Sequence, residues 1–411
     1  MNPRGARRIL QITVCPFPPE IRVVKEGVSL AEAGYQSAVL CPPIEGRPER
    51  ETWRGIRIFR PASLRAAAKL PDKLAYHAGF FSPAWYRAIR QVLTEYRPEV
   101  IHVHDIWLGR TVFLARRQEK VVMDLHENMP AAVIEYLGAY RGATKLFHTL
   151  FKGRARVLRY ERALLRESDR VLVVVEEAMH RVLEEHPAVN GKIVNVENLE
   201  SKAFVAQGGA SQKVIENDHF SLLYIGGFGP HRGIDTLIAA MKHVKAWGLN
   251  IRLYLVGARD GGDYVRMLKD LIRELDVGSH VSVIGWVPSE QVLAYIRQAS
   301  AGAVPHHSNP HNDNTIPHKL YQYMIAGTPV FASTSLPLER TVRSANAGVI
   351  FKAGDPLDCA QKIREMASDP SRLRSYGENG RRYVLQQGHN WEEEASPALI
   401  ATYDRLLGVA A

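Results

Sequence analysis

The chain has 411 residues, a formal charge of +10 and 46% hydrophobic residues; this length exceeds one ordinary core, so two domains are expected. No apolar run approaches the roughly 20 residues a bilayer-crossing helix needs, and the basic start MNPRGARRILQITVCP shows no small-residue cleavage pattern, so neither a span nor a signal peptide is expected. The positive charge favours phosphates, anionic lipid or nucleic acid as partners, and the absence of zinc spacing, basic heptads and RNP aromatics argues against nucleic acid.

In chain order, short apolar runs alternate with helical patterns. RILQITV (8–14) reads as a strand, VVKEGVSLAEAG (23–34) as a helix stopped at Gly34, and QSAVLC (36–41) and GIRIFR (55–60) as strands. A helical stretch runs from about Pro83 to Tyr96. VIHVHD (100–105) and VVMDLHE (121–127) are strands with a helix between them, and RVLVVV (170–175) and KIVNVEN (192–198) continue the series. Between Thr144 and Glu167, basic residues such as Lys145, Lys152, Arg156, Arg159 and Arg162 interleave with leucines and phenylalanines. A basic amphipathic helix can lie on a membrane; a solvated helix with a core-facing stripe is the preferred reading.

The rhythm lapses over SKAFVAQGGASQKVIEND, where Gly208, Gly209, Ala210 and Ser211 make a flexible connection. It restarts with FSLLYIG (220–226) and a helix RGIDTLIAAMKHV (232–244). Strands IRLYLVG (251–257), VSVIGW (281–286), SAGAVP (300–305), PVFAS (329–333) and GVIF (348–351) follow, and Trp391 to Leu407 is helical. The expected fold class is α/β, with two tandem doubly wound, Rossmann-like parallel-sheet domains facing a cleft. The expected boundaries are 1–205 for the N-terminal domain, 206–388 for the C-terminal domain, and 389–411 for a closing segment. Cys15, Cys41 and Cys359 are odd in number and far apart, which suits small buried residues in a reducing cytoplasm.

Ligands of open parallel sheets bind beyond the carboxyl ends of the strands. In the first half those positions hold Cys15 to Glu20, His104-Asp105 and His126-Glu127-Asn128; in the second they hold Gly226-Gly227-Phe228-Gly229, Gly257-Ala258-Arg259-Asp260, Gly285-Trp286-Val287, His306-His307 and the loop before Pro317. The second set, rich in glycine and carrying Arg232 and Lys319, suits a phosphorylated ligand, because glycines let amides approach an oxyanion and the cations neutralise it. It is neither a Walker loop nor a Rossmann fingerprint. Gly226, Gly227, Gly229, Gly257, Gly285, Trp286 and Val287 are the donor-side candidates here. In NTIPHKLYQYMIAGTPVFAS, Pro317 suits a first helical turn capped by Asn314 or Thr315, and Gly327 suits the stop. Two His-acid pairs at successive strand ends point to ligand contact by His126. Zinc is the rival, but HExxH is absent and the spacing closes no ligand set, so no metal is expected. His306, His307, His311 and His318 read as polarity lining the cleft.

These segments together resemble the retaining nucleotide-sugar glycosyltransferases of the GT-B fold, family GT4, over nearly the whole chain. RVVKEGVSLAEAGYQSAVLCP, VIHVHDIW, VVMDLHEN, YIGGFGPHRGIDTLIAAM, VSVIGWVPSEQVLAYIRQASAGAVP, IPHKLYQYMIAGTPVFAS and WEEEASPALIATYDRLL carry the resemblance in order. It implies a hexosyltransferase-type enzyme (EC 2.4) of polysaccharide biosynthesis. A nucleoside-diphosphate sugar would be co-substrate, with no cofactor and no metal, and a glycan or lipid-linked molecule would be acceptor. The implied location is cytoplasmic, with peripheral contact at the inner membrane face allowed. His126, Arg232, Lys319 and Asn314 would act in catalysis, Thr315, Ile316 and Gln322 would join the donor-side glycines, and Glu20, Asp105 and Glu127 would face the acceptor. The final helix would cross back onto the first domain. Departures are plain: Asn314 and Gln322 stand where the family carries Glu-x7-Glu, Gly227 where it carries arginine, and FPPEIR where it carries a glycine pair. Asp313 is the candidate substitute acid. A catalytically silent nucleotide-sugar-binding partner of an active transferase is the alternative reading.

Overall fold

The computed structural model describes residues 4–138, 153–206, 213–216, 218–258 and 262–409. The expected linker glycines, the segment from Thr144 to Lys152, and Arg259 and Asp260 lie outside the described residues. The chain forms two compact units, one of residues 1–197 with 394–411 and one of residues 198–393.

The first unit holds an eight-stranded sheet in the order β3-β4-β2-β1-β5-β6-β7-β8. Its strands are β1 (Arg8–Ile12), β2 (Gln36–Leu40), β3 (Arg50–Trp53), β4 (Ile56–Phe59), β5 (Val100–His104), β6 (Lys120–Leu125), β7 (Arg170–Val173) and β8 (Ile193–Asn195). All neighbours run parallel except β3 and β4. β3 is an addition to the sequence reading. RETW is polar and sits on the sheet edge with alternate residues exposed, so it has no apolar signature to read. Arg54 and Gly55 join it to β4 as a two-residue turn with φ of 47° and 79°, the left-handed pair that suits a tight hairpin.

The helices of this unit are α1 (Ile21–Glu32), α2 (Leu70–Gly79), α3 (Pro83–Tyr96), α4 (Gly109–Ala115), α5 (Met129–Gly138), α6 (Arg154–Glu167) and α7 (Glu176–Glu185). α3 shows why such segments start where they do. Ser82 accepts the Trp85 amide at 3.2 Å, Pro83 fills the first turn, and Ala88, Ile89 and Val92 turn one face inward. In α1, Gly27 lets the helix settle on the sheet. A Cβ there would come within 2.8 Å of Ile56 and 2.9 Å of Gln11.

The second unit has six parallel strands in the order β11-β10-β9-β12-β13-β14. These are β9 (Phe220–Ile225), β10 (Ile251–Ala258), β11 (Val281–Gly285), β12 (Ala301–Val304), β13 (Val330–Ser333) and β14 (Gly348–Phe351). Its longer helices are α8 (Ile234–Ala246), α9 (Asp263–Glu274), α10 (Ser289–Gln298), α11 (His318–Ala326), α12 (Leu336–Ala345), α13 (Pro356–Ala367) and α14 (Pro370–Leu385). Ile234, Leu237, Ile238 and Met241 of α8 pack on Leu222, Leu253 and Leu255 in one core. Both units are therefore the doubly wound parallel sheets that the β-α alternation predicted.

The last helix, α15 (Ser396–Leu407), belongs to the first unit. Tyr35 donates to Asp404 at 2.6 Å, Arg4 binds both Asp404 oxygens at 2.9 and 2.6 Å, and Tyr403 meets His102 Nδ1 at 2.6 Å. The helical stretch expected from Trp391 opens as a π-helical turn over Trp391–Ala395, and the regular α-helix begins at Ser396. Cys41 and Cys359 are buried, but Cys15 is exposed at the end of β1, because that loop leaves the sheet there.

Candidate functional sites at the carboxyl ends of the two sheets

In the first unit the strand order reverses between β1 and β5, which is the place where an open α/β sheet forms its crevice. β5 and β6 carry His102, His104 and Asp124 there, with Asp105 and His126 just beyond the strand ends. His126 Nε2 lies 2.8 Å from Asp124 Oδ2 and 3.1 Å from His104 Nδ1, and its ring Nδ1 lies 3.7 Å from Asp105. Its backbone amide donates to Asp105 Oδ1 at 3.1 Å. Behind them, Arg22 of α1 grips both oxygens of Asp124 at 2.8 and 2.9 Å, stands 3.1 Å from Glu26, and donates to the Val196 carbonyl at 3.0 Å. Asp105 adopts φ of 59°, which bends the chain so that its carboxylate meets the His126 amide.

These groups set one another's protonation. Burial acts to discharge His126, but Asp105 and Asp124 outweigh it and lift the imidazole to about 10. Burial pushes the Asp105 carboxyl up to about 6 although His126 opposes the change. For Asp124, burial is overcome by Arg22 and His126, so its carboxyl lies well below the usual range. Burial and the neighbouring His102 hold His104 neutral. The result is an imidazolium at the mouth, backed by carboxylates that a buried guanidinium neutralises.

Glu26, His102, His104 and Asp124 bring ligand atoms within 4.8 Å of one another, as a cation site would. Arg22 already lies against both carboxylates, so the charge a metal would supply is present in the protein. Sequence reading did not select Arg22, Glu26, His102 or Tyr403. The readable signals were the i,i+4 pair Arg22-Glu26 on α1 and the i,i+2 pair His102-His104 on one face of β5. Glu20 stands half-buried at the start of α1. Although Cys15 is exposed as a residue, partial burial of its thiol, with the charges of Glu20 and Asp105, pushes the thiol up. Glu127 is half-buried and helps hold the Asp105 carboxyl up.

In the second unit the reversal falls between β9 and β12. The loops after these two strands are knitted together. Asn312 donates to the carbonyls of His231 and His307 at 2.7 and 2.8 Å, and the His307 amide donates to His231 at 3.2 Å. Gly233 has φ of 65°, and a Cβ there would stand 1.9 Å from the Pro305 carbonyl. Gly226, with φ of 131°, lies against Lys319: a Cβ would come within 2.9 Å of Nζ. Gly257 closes on Gly226, whose carbonyl would lie 2.6 Å from a Cβ.

Lys319 is buried, its Nζ sits 3.6 Å over the Tyr224 ring, and among the described residues Nζ has no hydrogen-bond partner. Burial and the nearby Arg232 drive it well below an ordinary lysine. Among the described residues both ring nitrogens of buried His306 are likewise without a hydrogen bond, and burial with Arg232 and Lys319 keeps that ring neutral. Burial and Arg232 push His231 down to about 3. These charges and dipoles converge on one turn, with Asp235, 3.3 Å from His307, as the neighbouring acid among the described residues; the excess of positive charge suits an anion.

The expected helix starts shift. α11 begins at His318, after Pro317, not at Thr315. Asn314 instead ends a short 3-10 turn (Asn312–Asn314), donating to the Pro310 carbonyl at 2.9 Å, and Thr315 is extended. Arg232 lies in another 3-10 turn (Pro230–Arg232) that begins after Gly229, and α8 starts two residues later. Pro230 opens the second of these turns, and Pro317 is the extended cap before α11. Asp313 is held by Ser308 at 2.9 Å and accepts the Leu336 amide at 3.1 Å, so it anchors the start of α12. Gln322 donates to Glu200 at 2.8 Å, an acid that sequence reading did not select. The buried Ile316 accepts from Asn198 at 3.0 Å. Gly227 is exposed and accepts the Tyr224 hydroxyl at 2.6 Å. Gly285, Trp286 and Val287 end β11 at the sheet edge, away from the turn that holds Lys319, and Trp286 is 66% exposed.

The two sheets define the GT-B class of transferase folds. The computed structure superposes on sucrose-phosphate synthase from Thermosynechococcus elongatus with a TM-score of 0.79 at 22% identity, covering 98% of this chain and 100% of that one. Against Anabaena HepE in complex with UDP-glucose the TM-score is 0.68 at 13% identity, covering 98% and 100%. The glycosyl transferase 4-like domain model matches residues 20–198 and the glycosyl transferases group 1 model matches residues 210–383. Each half of the chain is thus similar to a glycosyl transferase domain. It is 25% identical over 199 residues to an uncharacterized glycosyltransferase of Methanocaldococcus jannaschii, covering 48% of this chain and 52% of that protein. It is also 25% identical over 178 residues to a GDP-mannose-dependent phosphatidylinositol monomannoside mannosyltransferase of Mycobacterium tuberculosis, covering 43% and 45%. The chain thus spans about half the length of the curated relatives it matches.

Proposed function

We propose that this chain is a retaining, metal-independent transferase that moves a sugar from a nucleoside-diphosphate sugar to a glycan or lipid-linked acceptor. The observation that carries this reading is the cationic turn of the second unit, where, among the described residues, Lys319 lies buried against Gly226 without a hydrogen-bond partner. Burial without an acceptor favours the neutral amine, and a diphosphate would restore the charge and supply its partner. Arg232 and the backbone about Gly229 and Gly257 complete the cradle, and together they stabilise the departing diphosphate as charge develops on it. The base lies along Gly285, Trp286 and Val287, and Gln322 with Glu200 serves the ribose.

On the first unit, His126 supplies a fixed positive charge to the reacting group, oriented by Asp124 and Asp105. Asp105, Glu127 and Glu20 form the acceptor side, and Asp105, lifted to about 6 by burial, has the proton affinity to take an acceptor proton near neutrality. With Arg22 as the resident cation behind Asp124, the reading needs no metal. Cytoplasmic polysaccharide or glycolipid synthesis is the setting this chemistry fits, and the mannosyltransferase relative supports a lipid-linked acceptor.

A second reading is a silent nucleotide-sugar-binding partner of an active transferase. Two observations favour it. Asn314 is spent on the Pro310 carbonyl, and Asp313 anchors α12 and so does not replace a missing acid. Thermal-shift screening of UDP-, GDP- and ADP-sugars identifies the donor, because a specific ligand stabilises by mass action. Radiolabelled turnover of that donor with a mixed lipid extract then separates the readings: transfer or hydrolysis supports the enzyme, and binding without either supports the silent partner. No stabilisation by any of the three sugars would sink both.

A further inference from the structure

The segment 62–79 of the first unit, a 3-10 stretch Ala62–Ala68 followed by α2, carries a surface the transfer reading does not use. Leu70 is 67% exposed and Leu74 is 52% exposed, one turn apart on the same helical face. Arg65, Lys69 and Lys73 are exposed around them, and none has an ion-pair partner among the described residues. Asp72, the one acid of the segment, is turned inward. It accepts from Ser82 Oγ at 2.6 Å and from the Ala84 amide at 2.7 Å. The outward face is therefore cationic and aliphatic, without a negative charge.

The rest of the unit extends this surface and holds it rigid. Arg110 of α4 donates to the Gly79 carbonyl at 2.8 Å and Arg156 of α6 donates to the Ala78 carbonyl at 2.5 Å, so two further cations gather at the end of α2. Phe80 stacks on Tyr160 with ring centroids 4.1 Å apart, fixing the helix end from beneath. Tyr160 in turn donates to the Ile106 carbonyl at 3.0 Å, one residue from Asp105.

We infer that this face docks on an anionic membrane surface, with Leu70 and Leu74 entering the acyl boundary and the flanking cations meeting lipid phosphates. Protruding leucines beside lysines, whose long stems let the ammonium reach outward, are the pattern of interfacial helices. Protein interfaces instead favour aromatic residues and arginine and are depleted in lysine. The docking inference does not depend on the transferase reading, but it places the membrane next to the Asp105 end of β5, where a lipid-linked acceptor would be used.

The test is flotation of the full chain with phosphatidylcholine vesicles, with and without 30 mol% phosphatidylglycerol, at low and high salt. Wild type is expected to float with the anionic vesicles, to remain behind with neutral ones, and to lose binding at high salt. L70S/L74S and K69Q/K73Q are each expected to weaken anionic binding by about tenfold or more, with circular dichroism and Tm unchanged because all four side chains are exposed. Failure of the wild type to float with anionic vesicles overturns the inference, as does flotation that neither variant weakens. A concentration-dependent dimer that L70S/L74S dissolves, with no vesicle binding, also overturns it and assigns the face to a second copy of the chain.

Discussion

At the residue scale, the chemistry turns on which buried charges have partners. Arg22 has Asp124, Glu26 and a backbone carbonyl, so it is a structural cation. Replacing it with methionine leaves two buried carboxylates uncompensated and should cost about 3–5 kcal/mol, read as a lowered urea midpoint with unchanged slope. Lys319 is the opposite case. Among the described residues its amine stands over the Tyr224 ring and has no hydrogen-bond acceptor, so Lys319→Met should leave Tm unchanged or raise it while lowering transfer by roughly 10²–10³-fold, the usual loss for one electrostatic donor. Undiminished transfer would remove Lys319 from the mechanism. His126 defines the pH dependence. Its folded value, about 10, exceeds the ordinary 6.5, so its contribution to stability is complete below about 6.5 and drains away as the pH rises through about 10. Wild type should therefore lose more stability than His126→Gln between pH 7.5 and 10.5. An NMR titration of the His126 ring with a midpoint near 6.5 would refute the assignment.

At the element scale, the donor-side geometry depends on how loops fit together more than on where helices begin. The turn after β9 and the turn after β12 touch through Gly233 and the Pro305 carbonyl. Gly233→Ala forces a Cβ into that carbonyl at a left-handed φ, so it should cost at least about 1–3 kcal/mol and loosen Arg232 with it. A thermal melt combined with a donor titration checks this: unaltered stability and affinity would show that the two turns separate freely. The sequence signals read well wherever an element has to be apolar. The buried strands, the extent of α3 and the inward face of α8 were legible from composition and period alone. β3 was not, because an exposed edge strand needs no apolar side chain. The starts of α8 and α11 were misplaced, because Pro230 and Pro317 are equally compatible with a first helical turn and with a 3-10 turn or extended cap before it.

At the scale of the whole molecule, the chain closes its first unit with its own last helix. Tyr403 reaches His102 and Asp404 ties Tyr35 to Arg4, residues about 300 to 400 positions away in sequence. Tyr403→Phe removes the partner of a buried imidazole nitrogen and should cost about 1–3 kcal/mol, with the loss seen as faster amide exchange in β5. Protection of β5 equal to wild type would mean that the contact is dispensable.

The sequence by itself determined the α/β alternation, the presence of two sheets, and the strand ends where polar and glycine-rich residues collect. Burial period and turn chemistry are local properties, written within a dozen residues. Tertiary structure alone decided which charges are met. That Arg22 neutralises Asp124 across 102 residues, that Asp313 serves as an anchor, and that Glu200 stands beside Gln322 depend on strand order and loop packing. An ionisable group's role is set by neighbours brought from distant segments, and no local pattern encodes their distance.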